Sequence, residues 1–262
     1  MFSLEYIKNL INQLNDNPST VKGNNQIKGI GGLSGQKFRS LVCELVSKIG
    51  NNVYLEIGIF QGKTILTSAA ENPNIKHIGI DNFSQFDKDG KNYTKIKSKI
   101  KDMKLSNIEI LEMDFKEFFS KQAITKEKNV GVLFYDAIHD YRSQLMALYN
   151  SLNFLVDGGI ILVDDTNYAH VRYATYDFIS AFPEFKLIYE NYTNKHPKDM
   201  TPEEYKSAID GWWNGVHIIL HDPDNKVKGI KPTYESKIDQ IFNKGCTLTD
   251  CNCPHMKEQI ST

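Results

Sequence analysis

Acidic side chains and a histidine follow two apolar segments in the second half of the chain. The first segment runs into Asp136 and, three residues later, His139, and the second runs into Asp164 and Asp165. Carboxylates that cluster in a partly buried site repel one another unless a proton or a cation joins them, and oxygen ligands suit a hard ion such as Mg²⁺. The sequence therefore predicts a metal site with Asp136, Asp164 and Asp165 as ligands. Consecutive strand residues point to opposite faces, so both Asp164 and Asp165 can face one ion only if the strand has already turned into a loop.

A glycine-bearing turn predicts a second site, for a nucleotide-like ligand. Within the segment 53–64, a predicted strand runs through Glu56 into Gly58, and a predicted helix begins after Gly62 with Thr64 in its first turn. Glycine allows tight turning and a close approach of the backbone to a ligand. The N-terminus of a helix adds free N–H groups and a positive potential.

Three ligand classes compete for this turn. A dinucleotide fingerprint needs G-x-G-x-x-G, and Phe60 occupies the position of its second glycine. A P-loop needs G-x-x-x-x-G-K-[ST]; residues 62–64 fit its end, but Ile57 stands where its first glycine belongs. The spacing that remains, Glu-x-Gly-x-x-x-Gly over residues 56–62, resembles motif I of the class I S-adenosylmethionine-dependent methyltransferases.

This resemblance implies roles for the acids that follow the next two predicted strands. It implies that Asp81 accepts both ribose hydroxyls of S-adenosylmethionine, and that Asp114 faces the adenine amino group with Phe115 near the ring. In open α/β sheets, ligands bind beyond the carboxyl ends of the strands, where each of these acids stands. The implied cofactor site comprises Glu56, Gly58, Gly62, Thr64, Asp81, Asp114, Phe115 and Asp136.

The pattern D-x-x-H at residues 136–139, followed by an apolar segment and two aspartates, resembles the metal-dependent O-methyltransferases of the macrocin and macrolide-sugar type. The resemblance implies Mg²⁺-assisted methyl transfer to a hydroxyl of a small polar acceptor, such as a sugar or glycoside. Asp136 and His139 would be the catalytic residues, with His139 as the general base. A histidine suits that role because its pKa lies near neutrality.

One departure from a more distant group leaves the third metal ligand open. Catechol-type O-methyltransferases carry Asp-Asn after the fifth strand, where this chain has Asp165 and Thr166. The third ligand is then either Asp164 or Asn167, through its side-chain oxygen.

Seven apolar runs must position these residues. Helical patterns separate the first five runs, which predicts βαβ units and a parallel sheet, and the last two are predicted to pair antiparallel at the sheet edge. The predicted fold class is α/β, a Rossmann-like class I methyltransferase fold with a seven-stranded, mostly parallel sheet, an antiparallel edge strand and helices on both faces. The predicted strands are Val53–Ile57, His77–Ile80, Ile108–Leu111, Val130–Tyr135, Ile160–Val163, Phe185–Tyr189 and Val216–Leu220.

The predicted organisation has three parts. Residues 1–50 form a helical extension, in which Ser34 is the predicted cap of the second helix. Residues 51–222 form the methyltransferase domain, and residues 223–262 form a tail that holds three of the four cysteines. Within the domain, the long polar segment 191–214 is either a lid or substrate loop or a surface excursion.

Composition limits the functional classes. Lys and Arg total 31 against 32 Asp and Glu, which argues against a nucleic-acid binder with a broad basic face. The sequence has no long apolar run of membrane-spanning length, no signal-peptide pattern at its N-terminus and no disulfide framework. We therefore expect a cytoplasmic protein whose partner is a small-molecule acceptor, with no nucleic acid and no membrane. The sequence leaves open whether the protein forms a homo-oligomer.

Two other functions compete with methyl transfer. A P-loop ATP-binding protein would use residues 62–64 and the pair Asp164–Asp165 as its two nucleotide motifs, although the missing first glycine and Glu56 count against it. A non-catalytic scaffold protein that retains the fold would need neither Asp136 nor His139.

Overall fold

The computed structural model describes residues 2–18, 27, 29–121, 128–193 and 195–232. The cysteine-bearing end of the predicted tail, from residue 233 onward, lies outside these residues. Within the described residues, no helix is both long enough and apolar enough to cross a membrane.

Seven strands form one sheet at the centre of the fold. They are β1 (Val53–Ile57), β2 (His77–Asp81), β3 (Ile108–Glu112), β4 (Val130–Tyr135), β5 (Leu155–Asp164), β6 (Phe185–Asn191) and β7 (Val216–His221).

The strand order is β3-β2-β1-β4-β5-β7-β6. Strands β1 to β5 run parallel, whereas β7 is antiparallel to both β5 and β6. The predicted mostly parallel sheet with antiparallel pairing at one edge is confirmed. Within that edge, β7 is the antiparallel strand and lies one position inside β6.

Helices cover both faces of the sheet. They are α1 (Leu4–Asp16), α2 (Gln36–Val46), α3 (Lys63–Glu71), α4 (Asn92–Asp102), α5 (Phe115–Ser120), α6 (Tyr141–Ser151), α7 (Ala169–Ala181) and α8 (Pro202–Asp210). Successive residues of β1 alternate between two apolar cores: Tyr54 packs with the residues of α1 to α4, and Leu55 packs with those of α5 to α7. This double coverage explains why the parallel strands are continuous apolar runs rather than alternating ones.

The predicted cap of α2 is wrong. The N-cap residue is Gly35, which has no side chain to accept a capping hydrogen bond. The hydroxyl of Ser34 instead accepts a hydrogen bond from Nη1 of Arg39, at 3.3 Å. Arg39 is buried, and a buried guanidinium needs acceptors, so Ser34 serves the arginine rather than the helix.

The segment 191–214, which we call the insertion, joins β6 to β7. It contains a 3₁₀ turn, Pro197–Asp199, and helix α8. Thr201 accepts a hydrogen bond from the backbone N–H of Glu204, at 3.2 Å, and the Glu204 carboxylate accepts one from the backbone N–H of Thr201, at 2.9 Å. This capping box confirms the predicted helix start at Thr201.

Candidate functional site

A cleft of about 490 Å³ opens at the carboxyl ends of β1 to β5, the usual place for a ligand in an open α/β sheet. Its size is that of a small-molecule site. The predicted site residue Gly62 lies outside the cleft lining, at the N-cap of α3. The predicted site residues that line the cleft are Glu56, Gly58, Thr64, Asp81, Asp114, Phe115, Asp136, His139, Asp164 and Asp165.

Gly58 brings the ends of β1 and β4 into close contact. Its φ is +88°, and a Cβ at this position would lie 2.0 Å from the backbone oxygen of Asp136. Only glycine fits such a left-handed, crowded position. The turn therefore carries the chain from β1 to the N-terminus of α3 with its backbone exposed to the cleft.

The Asp81 carboxylate fixes the two loops beside the cleft. One oxygen accepts the backbone N–H of Phe60 at 2.8 Å, and the other accepts the N–H of Phe83 at 2.7 Å. Burial raises the pKa of Asp81, and these N–H donors oppose the shift. Because a carboxylate can accept about four hydrogen bonds, Asp81 keeps acceptor capacity for a ligand.

Asp114 has a local structural role as well as a place in the cleft wall. It is the N-cap of α5: Oδ1 accepts the N–H of Lys116 at 2.8 Å, while Oδ2 accepts from Asn82 at 3.2 Å. The next residue, Phe115, is buried and packs edge-to-face on Tyr135, with ring centroids 5.8 Å apart. The predicted adenine contacts therefore lie on a well-supported helix start.

Glu56 lies almost fully buried at the inner end of the cleft. The Tyr54 hydroxyl donates to its Oε2 at 2.6 Å. Burial is the largest influence on the Glu56 pKa, which rises to about 8. Near neutral pH Glu56 is then mainly protonated, so this part of the cleft carries less negative charge than the sequence indicates.

Asp164, which is buried, and Asp136, whose side chain is 28% exposed, form a carboxylate pair on the cleft floor. Burial, followed by repulsion from neighbouring carboxylates, raises the pKa of each well above its usual range. Each residue has the other among its electrostatic partners. Such a pair is stable when a proton or a cation is shared between the two groups.

His139 is held by Asp165. Asp165 has φ +58°, so the chain has left β5 after Asp164, and the Asp165 side chain turns into the cleft. Its Oδ2 lies 2.8 Å from Nε2 of His139, while its Oδ1 accepts from Asn214 at 2.5 Å. The bond to a carboxylate assigns the proton of the neutral imidazole to Nε2 and leaves Nδ1 as an acceptor.

These contacts also test how well the residues fit a metal ion. Among the described residues, no group of three or more His, Cys, Asp or Glu side chains is arranged to hold a metal. Both Asp165 oxygens have partners. Asn167, the alternative ligand, accepts the N–H of Thr193 and donates to the carbonyl of Lys195. Two oxygen-donor side chains, Asp136 and Asp164, remain for a hard ion that would complete its shell with water. The three-ligand Mg²⁺ site stays a prediction.

Sequence reasoning missed much of the opposite cleft wall. The loop after β2 and the insertion both contribute residues to this wall. The length of the insertion and its paired tryptophans were the available signals. Trp212 is buried and packs on Tyr189 at 5.5 Å, whereas Trp213 lines the cleft. The missed lining residues include Asn82, Ser84, Gln85, Phe86, His196, Lys198, Tyr205 and Asn214.

Both ends of the insertion are fastened to the turn after β5. At its start, Thr166 donates through Oγ1 to the carbonyl of Asn191 at 3.1 Å. At its end, the backbone N–H of Asn167 donates to the carbonyl of Asn214 at 2.9 Å. Gly215 has φ +94°, and a Cβ there would meet Thr166 Oγ1 at 2.4 Å. The insertion is thus attached to the same turn that carries Asp165.

Comparisons with known proteins agree with this geometry. Residues 55–166 match a family model described as a methyltransferase domain, and this segment contains every predicted cofactor, catalytic and metal residue except the alternative ligand Asn167. No curated protein matches the chain.

Two solved structures illustrate the similarity of fold. The O-methyltransferase TomG from Streptomyces achromogenes, involved in tomaymycin synthesis and solved with S-adenosylmethionine, has a TM-score of 0.57 at 11% identity, over 85% of this chain and 100% of that one. An O-methyltransferase from Bacillus cereus, solved with S-adenosylhomocysteine, has a TM-score of 0.54 at 14% identity, over 84% of this chain and 90% of that one. The domain match, on this fold, supports the predicted enzyme class, a methyltransferase.

Proposed function

We propose that the protein transfers the methyl group of S-adenosylmethionine to a hydroxyl of a small polar acceptor, with His139 as the general base. The observation that carries this proposal is the contact between His139 Nε2 and Asp165 Oδ2, 2.8 Å long, in a cleft lined by the predicted cofactor residues. A sugar or glycoside acceptor, as in the macrocin and macrolide-sugar group, is part of the same proposal.

The proposed donor site follows the glycine turn and the ends of β2 and β3. Asp81 would accept the ribose hydroxyls with the lone pairs that its two backbone donors leave free. Asp114 and Phe115 would contact the adenine. The carboxylates that remain ionised would attract the positively charged sulfonium.

The chemistry needs a proton acceptor beside the acceptor hydroxyl, because an alcohol is a weak nucleophile at neutral pH. Nδ1 of His139 would take the hydroxyl proton while the oxygen attacks the methyl carbon and the carbon–sulfur bond breaks. S-Adenosylhomocysteine leaves with the bonding electrons. The Asp165 carboxylate stabilises the imidazolium that forms and fixes the orientation of its ring. No covalent enzyme intermediate is needed.

Mg²⁺ assistance belongs to the proposal as well. Asp136 and Asp164 would hold the ion, and their raised pKa values are the support, since a cation would relieve the repulsion between them. When bound, the ion would lower the pKa of the acceptor hydroxyl. The existing bonds of Asp165 to His139 and Asn214 compete with its predicted role as the third ligand.

The test combines ligand binding with turnover. Calorimetry with S-adenosylhomocysteine should show binding to the wild-type protein and to H139Q, and weaker binding to D81N. Methyl transfer to hydroxyl acceptors should fall by roughly 10²- to 10⁴-fold in H139Q. The matched control is E109Q, which neutralises an exposed carboxylate of β3 that pairs with Lys76, and which should change neither quantity.

Three outcomes would contradict parts of the proposal. No binding of S-adenosylhomocysteine at millimolar concentration would overturn it. Methyl transfer at the wild-type rate in H139Q would contradict the proposed role of His139 as the base. Equal rates of methyl transfer with Mg²⁺ and with EDTA would contradict the proposed role of the metal. If the fold served only as a scaffold, no acceptor would be methylated and the variants would behave like the wild type.

A further inference from the structure

Aromatic rings form the part of the cleft beyond His139. Tyr168 stacks at 6.5 Å from His139 and lies 5.6 Å from His196, between ring centroids. Tyr205 meets Trp213 edge-to-face at 5.5 Å. We call this region the acceptor compartment; it is bounded by His139, Tyr168, His196, Lys198, Tyr205 and Trp213, all of which line the cleft.

Two hydrogen-bond donors stand on the insertion side of the acceptor compartment. The backbone N–H of Lys198 donates to Nδ1 of His196 at 3.1 Å. The neutral His196 ring therefore carries its proton on Nε2, where it is a donor. Among the described residues, no carboxylate lies within ion-pair distance of the Lys198 ammonium. Its chain neighbour Asp199 does not line the cleft.

The position of these donors relative to His139 is set by the anchored insertion. Asn167 accepts the N–H of Thr193 at 2.6 Å and donates to the carbonyl of Lys195 at 2.7 Å. Three residues later the chain reaches Lys198. The turn that presents Asp165 to His139 thus also anchors the segment that leads to Lys198.

The charges in the cleft are unevenly distributed. The carboxylates of Asp136 and Asp165 lie 3.8 Å and 2.8 Å from Nε2 of His139, whereas the cationic side chain of Lys198 belongs to the insertion, two residues after His196. A negative group on an acceptor is repelled by the Asp165 carboxylate beside His139 and attracted by the Lys198 ammonium. This asymmetry gives such an acceptor one preferred orientation.

We propose that His196 and Lys198 form an anion-recognition subsite, and that the acceptor is a hydroxylated ring compound that carries a carboxylate or a phosphate. The hydroxyl lies at His139, the anion lies at Lys198, and the ring of the acceptor lies between them in the acceptor compartment. This inference rests on the proposed O-methyl transfer and names the class of its substrate. Both hydroxybenzoic acids and acidic sugars meet this description.

The first test needs only the wild-type protein with S-adenosylmethionine. It compares matched acceptors: 3,4-dihydroxybenzoate with 3,4-dihydroxybenzyl alcohol, and glucose 6-phosphate with glucose. Because a charge-assisted hydrogen bond strengthens recognition considerably, we expect kcat/KM to be roughly 10- to 100-fold higher for the anionic member of at least one pair. The pair that responds distinguishes an aromatic acid from a sugar phosphate.

The second test changes the subsite. K198M should reduce the anionic-to-neutral ratio of kcat/KM to near one, and K198R should keep most of it. K206M removes a cation of α8 that does not line the cleft and should leave the ratio unchanged. Binding of S-adenosylhomocysteine should be the same in all four proteins, which also checks that each variant is folded.

The outcomes separate this inference from the proposed function. Equal use of anionic and neutral acceptors, or an unchanged ratio in K198M, overturns the subsite while O-methyl transfer stands. Calorimetric binding of the anionic acceptor that is lost in K198M, without methylation of any hydroxyl, overturns the proposed reaction while the subsite stands.

Discussion

Asn214 donates a hydrogen bond through Nδ2 to Oδ1 of Asp165, at 2.5 Å. Asn214 is the last residue of the insertion, and Asp165 is the residue that orients His139. The contact therefore joins the wall of the acceptor compartment to the proposed base. A carboxylate with one oxygen on an imidazole and the other on a fixed amide has a single orientation.

Loss of this amide should impair catalysis without affecting donor binding. In N214A, the buried Oδ1 of Asp165 loses its donor, and we expect kcat/KM for the acceptor to fall by roughly 10-fold, with unchanged affinity for S-adenosylhomocysteine. N214D should lower kcat/KM further than N214A, because it places a second carboxylate against Asp165. Steady-state kinetics of the two variants check this order, and equal activities in both would contradict it.

The stability of the free protein should decrease with pH through Glu56. Its pKa is about 8 in the folded protein, against an ordinary value of 4.5. Between these values the unfolded chain has released a proton that the folded protein keeps, so the free energy of unfolding falls as pH rises, by up to about 1.4 kcal/mol per pH unit. E56Q retains an acceptor for Tyr54 but cannot ionise. Urea titrations at pH 5 and pH 8 should therefore show a smaller loss for E56Q than for the wild type.

Two glycines of the same turn should differ sharply in their tolerance of alanine. Both have positive φ, +88° at Gly58 and +81° at Gly62. At Gly62 the nearest atom to a new Cβ is a leucine methyl at 3.2 Å, whereas at Gly58 it is a backbone oxygen at 2.0 Å. G62A should cost about 1 kcal/mol from φ alone, and G58A at least about 3 kcal/mol. Denaturant unfolding measures the loss of stability in both variants. Similar losses in G58A and G62A would show that β1 and β4 move apart easily to accommodate a Cβ.

Neutralising one member of the carboxylate pair should have opposite effects with and without metal. D164N removes the repulsion on Asp136, so at pH 8 and in EDTA its melting temperature should exceed that of the wild type. Addition of Mg²⁺ should raise the melting temperature of the wild type and leave D164N nearly unchanged. A Mg²⁺ response retained in D164N would remove Asp164 from the proposed metal site.

The strands could be predicted from sequence because their signal is local. β1 and β4 have the predicted bounds, since a strand that is buried on both faces must be apolar throughout. The position of β7 between β5 and β6 had no such signal. It depends on pairing between distant segments, such as Ile161 opposite Ile219.

The site was predictable in composition but not in its bonding. Residues at strand ends reach the cleft wherever the strands are parallel, which is why the acids and His139 were found. The pairing of His139 with Asp165 needs φ +58° at an aspartate, a conformation that residue type does not specify. Lys198 was missed because its place follows from hydrogen bonds made by Asn167, thirty-one positions earlier in the chain.

The attachment of both insertion stems to one turn has an evolutionary consequence. The stretch between Lys195 and Asn214 begins and ends at the turn after β5, so its exposed residues could differ in sequence without moving β5, β7 or the proposed donor site. Residues that contact the proposed acceptor could then change while those of the proposed donor site stay the same. Recognition of a different acceptor would then need changes in the insertion and none in the sheet.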